Sequence, residues 1–205
     1  MKIELSNAGK RFNREWIFRN TSINFYSGKS YAITGPNGSG KSTLLQCIGG
    51  MIRLNEGSIN AEGLYNYSAL CAPYLDVVEE MKLKEFLEFH RQFKKIINNI
   101  SNNDIIEIVG LSGAVDKEIR AFSSGMKQRV RLAQAIFSDV PVLLLDEPCS
   151  NLDQEGIEMY KMLIDKFCKD RILIISSNDF NEYSFCDEVF SMKNFKNNLV
   201  RPANH

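Results

Sequence analysis

The sequence has no long apolar run. The longest, such as Val142–Leu145 and Ile172–Ile175, are a few residues each, far short of the ~20 that a membrane-crossing helix needs. It has no bias of charge either. Twenty-five basic residues stand against 25 acidic ones, so nucleic acid is not an expected partner by bulk charge. Paired cysteines are missing too. Cys47, Cys71, Cys149, Cys168 and Cys186 are scattered, odd in number and without a CxxC pair, a pattern of reduced thiols rather than disulfides or zinc ligands. The start, MKIELSNAGK, lacks the apolar core of a signal peptide. Internal repeats and long linkers are absent as well. Together these absences lead us to expect a soluble, cytoplasmic chain.

What is present suits one domain spanning residues 1–205. At 44% hydrophobic the chain can bury a core. Ile3 and Leu5, Ile23 and Phe25, and Tyr31 and Ile33 read as short strands, with Ser27-Gly28-Lys29 as a turn. Lys41 to Ile48 reads as a helix stopped by Gly49-Gly50, and residues 57–70 as strand-like. Between about 76 and 135 the text becomes mainly helical, with Met81, Phe86, Phe89 and Phe93 at helical spacing. Met81, Phe86 and Phe89 are expected as lobe core, and His90 as a solvated histidine. A strand at 142–145, a helix at about 153–168 and strands at 171–176 and 188–192 follow. Alternating strands and helices predict a parallel α/β sheet. The tail from Asn194 is polar and expected to fray.

The stretch GPNGSGKST carries the first chemistry: Gly35, Pro36, Asn37, Gly38, Ser39, Gly40, Lys41, Ser42 and Thr43. Its glycines let the loop curl so that backbone N–H groups point at phosphate oxygens. A helix starting at about Lys41 adds its positive end. Lys41 supplies a mobile cation for β- and γ-phosphates, and Ser42 a hydroxyl for Mg2+. A hundred residues on, VLLLDEP (Val142–Pro148) reads as a buried strand with two carboxylates at its C-terminal end, where open parallel sheets bind ligands. Asp146 is expected to hold Mg2+ through water, and Glu147 to polarise the attacking water.

Between these motifs lies FSSGMKQRVRLAQAIF, Phe122 to Phe137, and after the second comes CSNLD, Cys149 to Asp153. The first resembles the LSGGQ signature of the ABC ATPases, with Ser123 and Gly125 in matching places. The second resembles that family's D-loop through Leu152 and Asp153. Ser123 and the N–H of Gly125 also sit where a helix start can hold an anion, while Ser123 can cap that helix. The resemblance covers nearly the whole chain. It implies a P-loop NTPase fold, α/β, with a RecA-like core, an N-terminal antiparallel β portion and a helical lobe. It implies ATP as ligand, with Phe12 stacking on adenine and Trp16 as its substitute. It implies two ATP-binding subunits docked head to tail, the signature of one covering the ATP of the other. It also implies a separate transmembrane permease, reached from the inner face of the membrane.

Two positions depart from the family. Its loop glutamine falls here on Ala72 or Pro73, neither of which can ligate a metal; Asp76 and Tyr74 are the neighbours able to compensate. Its switch histidine is replaced by Asn178, which donates a hydrogen bond but cannot become a cation. Slow hydrolysis is the expectation. The rival readings are a non-transport ABC ATPase acting as a nucleotide-dependent regulatory dimer, and a P-loop kinase or GTPase. Against the first, no second cassette, coiled coil or zinc module is expected, nor an extra C-terminal domain. Against the second, no NKxD-type guanine motif is present.

Overall fold

A computed structural model describes residues 1–60 and 67–197. The sequence expectations for 61–66, for the tail beyond Asn197 and for His205 lie outside the described residues. The N-terminal part is a β-hairpin, β1 (Lys2–Phe12) and β2 (Glu15–Tyr26), much longer than the fragments legible from Ile3 and Ile23. Asn13 turns it with φ 53°, a conformation asparagine tolerates better than most residues. With β4 (Glu56–Asn60) the hairpin makes an antiparallel sheet of order β2-β1-β4.

The second sheet holds β3 (Lys29–Thr34), β5 (Ser68–Cys71), β6 (Val142–Asp146), β7 (Ile172–Ser176) and β8 (Glu188–Ser191). It is parallel, in the order β5-β6-β7-β3-β8. Its central strands are buried on both faces, which explains their continuous apolar text. Side chains alternate along them. Val142, Leu144, Ile172 and Ile174 join a cluster with Ile3, Phe25 and Leu44. Leu143, Leu145, Leu173 and Ile175 join a second cluster with Phe86, Ile105 and Leu132.

Helix α1 (Lys41–Ile48) packs on the first face. Between β5 and β6 come α2 (Leu83–Phe93), α3 (Asn102–Ile108) and α4 (Ser124–Ile136). After β6 follow α5 (Gln154–Phe167), the short α6 (Phe180–Tyr183) and α7 (Met192–Asn197). No helix among the described residues is long and apolar enough to cross a membrane.

Two expectations for the helical region need correction. Phe89 is exposed rather than core, and stacks edge to face at 4.9 Å on the exposed Phe93. His90 is buried, not solvated. Ser138 Oγ donates to the Gln134 carbonyl at 2.6 Å, so it must accept from His90 Nε2 at 2.9 Å. Gln134 Nε2 lies 3.3 Å from His90 Nδ1 and donates to it. The imidazole is thus satisfied as a neutral ring, and burial above all lowers its pKa to about 4.

Candidate functional site

Parallel pairing brings three strand ends together. Ile33 of β3 lies opposite Ser176 of β7, and Ser176 opposite Asp146 of β6. The loop after β3 leads into α1 through Gly40, which has φ 99° and caps the helix with no side-chain hydrogen bond. A Cβ on Gly40 would fall 2.1 Å from Ile17 Cγ2. Only glycine therefore lets β2 press so close against the loop. Lys41 is buried and its Nζ donates to the Gly35 carbonyl at 2.8 Å. Its ammonium is folded onto the rim of the loop it would serve. Pro36, Asn37 and Gly38 are exposed at the tip, Ser42 and Thr43 half-buried at the helix start. Ser39 Oγ is buried with no hydrogen-bond partner.

Asp146 is buried, and its Oδ1 has no hydrogen-bond partner. A buried carboxylate oxygen without a donor is costly, and it suits a cation. Among the described residues no group of three His, Cys, Asp or Glu is arranged to hold a metal. The unpartnered Asp146 oxygen suits a magnesium ion whose other ligands would be mainly substrate or water oxygens, as magnesium prefers.

Glu147 is exposed, with φ 45°. Its N–H donates to the Ser176 carbonyl at 2.8 Å. With Asn37, Ser177, Asn178 and Glu182 it lines a cavity of about 270 Å3. Asn178 bridges to the phosphate loop. Its Oδ1 accepts from Gly35 N at 3.1 Å, and its Nδ2 donates to Asn37 Oδ1 at 3.1 Å. Both ends of the amide are thus engaged with the loop.

At the missing glutamine, Ala72 is buried and Asp76 exposed. Of the two neighbours able to compensate, Tyr74 is the one near the carboxylate end of β6. Burial first pushes its phenol up to about 12; a hydrogen bond to Gln46 opposes this and the Asp146 carboxylate adds to it. The phenol therefore stays a proton donor beside Asp146.

The signature lies elsewhere on the surface. Ser123 caps α4, its Oγ accepting from Met126 N at 3.2 Å. A Cβ on Gly125 would meet the Asn151 carbonyl at 2.8 Å, so the bare backbone lets α4 abut the segment before Asp153. Asp153 caps α5 through Gly156 N at 2.8 Å and accepts from Arg129 at 3.2 Å. The backbone N–H first, then Arg129, holds its carboxyl below the usual range. Ser123, Gly125 and Asp153 line a cavity of about 500 Å3 in which no phosphate-loop residue takes part.

Phe12 is exposed, with Lys10 Nζ 4.9 Å above its ring. Trp16 is already flanked by the guanidinium groups of Arg19 at 4.5 Å and Arg11 at 5.4 Å. Phe12 is therefore the more open ring. Sequence reasoning missed Gln128 and Glu182, both buried beside the turn after β6; Gln128 lies inside the signature segment but was passed over for Ser123 and Gly125, and Glu182 lies just beyond Asn178.

Residues 18–150 match the ABC transporter family. The uncharacterized ABC transporter ATP-binding protein YybJ of Bacillus subtilis (strain 168) is 33% identical over 200 residues, 93% of this chain and 92% of its own. The lantibiotic transport ATP-binding protein SrtF of Streptococcus pyogenes is 30% identical over 181 residues, 86% of this chain and 79% of its own. An ABC transporter ATP-binding protein from Pyrococcus furiosus shares the fold with a TM-score of 0.82 at 21% identity, over 95% of this chain and 99% of that one. A bacterial ABC transporter cassette solved as a dimer gives 0.78 at 22% identity, over 92% and 93%. With phosphate loop, acidic strand end and signature helix in one fold, the chain belongs to the ABC transporter family, as an ATP-binding subunit and an ATPase.

Proposed function

We propose that this ATPase works as a dimer at the inner face of the membrane and powers a separate permease, which sets the transported substrate. The observation that carries the reading is the separation of the two anion sites. Ser123 and Gly125 open onto a cavity that excludes the phosphate loop of the same chain. They are then available to ATP held by a second copy. Residues 1–205 form one ATP-binding domain, with about 76–135 as its lobe.

Lys41 and the N–H groups of Gly35–Thr43 hold the phosphates, and Phe12 stacks on the adenine. Ser42 and Asp146 would hold Mg2+, which would supply positive charge against the phosphates. Glu147 orients and polarises the attacking water, which adds to the γ-phosphorus as the bond to the β-phosphate oxygen breaks. Asn178 donates to a γ-phosphate oxygen after releasing Asn37. Ser123, Gly125 and Asp153 of the second copy close the site. With an amide for the usual histidine and no loop glutamine, turnover is slow. Exposed Phe93 and Phe89 lie on the lobe, where the permease docks.

Glu147→Gln keeps the shape of the base and removes its basicity. With MgATP it is expected to form a stable dimer by light scattering, while the ATP-free chain is a monomer. A monomer in both conditions overturns the homodimer. Failure to co-purify a membrane protein after gentle solubilisation overturns the permease.

A further inference from the structure

The peptide joining Pro148 to Cys149, immediately beyond Glu147, is gripped on both edges. Its carbonyl accepts from Gln128 Nε2 at 2.8 Å. Its N–H donates to Glu182 Oε1 at 2.7 Å. Gln128 is 0% exposed and Glu182 5%. They arrive from opposite sides, Gln128 from the signature helix α4 and Glu182 from α6 just after Asn178. Each is itself anchored. Arg131 donates to Gln128 Oε1 at 3.3 Å and to the Leu75 carbonyl at 2.7 Å. Tyr160 donates to the Glu182 carbonyl at 2.9 Å.

Glu147 needs such a grip. Its side chain is exposed, so little packing aims the carboxylate; the backbone must. That backbone has φ 45°, a left-handed state that glutamate adopts rarely and that persists only where the surroundings impose it. The Ser176 carbonyl fixes the turn on its near side. The Pro148–Cys149 peptide fixes it on the far side.

We propose that Gln128 and Glu182 are positioning residues for Glu147, clamping the next peptide so that the carboxylate faces the water it polarises. Gln128 lies one helical turn beyond Gly125, so the clamp also ties the aim of the base to the pose of the signature helix. A shift of α4 would move the base without touching it. Glu182 acts through one acceptor oxygen, so charge is not required of it. Burial above all raises its pKa, and a glutamine amide offers the same oxygen.

The inference rests on Glu147 as the base, so Glu147→Gln is measured alongside. Gln128→Leu and Glu182→Leu are each expected to lower kcat for phosphate release roughly tenfold or more. MgATP affinity by calorimetry should stay within about twofold, because an interaction acting on the transition state alone is removed. Glu182→Gln should restore most of the loss. The double leucine variant should be little slower than the worse single one, since both grip one peptide. Full turnover in both leucine variants overturns the clamp, as does affinity falling in step with turnover, or a Glu182→Gln as slow as Glu182→Leu. Full turnover in Glu147→Gln overturns the base itself, a different result. If the leucine variants do not fold, amide exchange in the parent decides. Cys149 N–H should be protected like the amides of β6, and exchange at the rate of a free surface turn overturns the proposal.

Discussion

The two faces of the parallel sheet each support a helix start, and the two are built differently. On one face α1 begins at Gly40, left-handed and without a side-chain cap. On the other α4 begins at Ser123, whose hydroxyl takes the Met126 N–H. An N-terminus without a cap leaves its donors for a ligand. A capped one has spent a donor on its own stability. The difference teaches that the phosphate loop is shaped to take a ligand, whereas the signature is a stable helix first. Changes on the first face should read out in ligand binding, changes on the second in stability.

The largest effect is expected on the signature face, from pH. His90 has a pKa of about 4 in the fold, against about 6.5 when unfolded. Above pH 6.5 the ring is neutral in both states and costs nothing. As pH falls below 6.5, the unfolded chain binds a proton that the fold refuses. Stability drops, and the loss is complete below about 4. It amounts to about 3 kcal/mol. Denaturant melts from pH 7 to 4 should show it, with a shallower slope in His90→Gln. Equal slopes would mean that the ring is open to water.

On the phosphate face, Lys41→Ala removes a side-chain cation from the loop. Losing a charge-assisted contact of ~1.5–3 kcal/mol should weaken MgATP binding about ten- to hundredfold with little change in melting. Calorimetry at constant salt measures it. Unchanged affinity would put the nucleotide elsewhere and end the contrast between the faces.

The smallest effect is expected at the seam. Asn178→His should raise phosphate release at saturating MgATP roughly fivefold, a gain of on the order of 1 kcal/mol in the transition state. ATP affinity should change little. A slower variant would show that the amide's two bonds, to Gly35 and Asn37, matter more than reach.

What was legible in the sequence follows the same division. The helix Lys41–Ile48 and the strand read at 142–145, which runs to Asp146, were legible because glycine punctuation and buried strands are local signals. The antiparallel sheet was legible as fragments only, since its strands mix polar and apolar residues around bulges. His90 was misread because its burial depends on Ser138, distant in sequence. Helical spacing of Phe86 and Phe89 could not tell which flank of α2 faces inward. Gln128 and Glu182 carry no signal, for their partners are backbone atoms that any residue would offer.

The pairing of β6 with β7 has one more consequence. Asp146 and Glu147 are adjacent in sequence and opposite in circumstance: one buried and facing Ser176, the other exposed and beyond the last rung. Only alignment separates them. A slip of one residue would carry Glu147 onto the last rung and exchange the faces to which Val142 and Leu144, on one side, and Leu143 and Leu145, on the other, are fitted. Both faces are apolar, so the fit of these side chains, not their polarity, holds the register. Packing of Leu143 and Leu145 therefore keeps the identities of the two acids distinct.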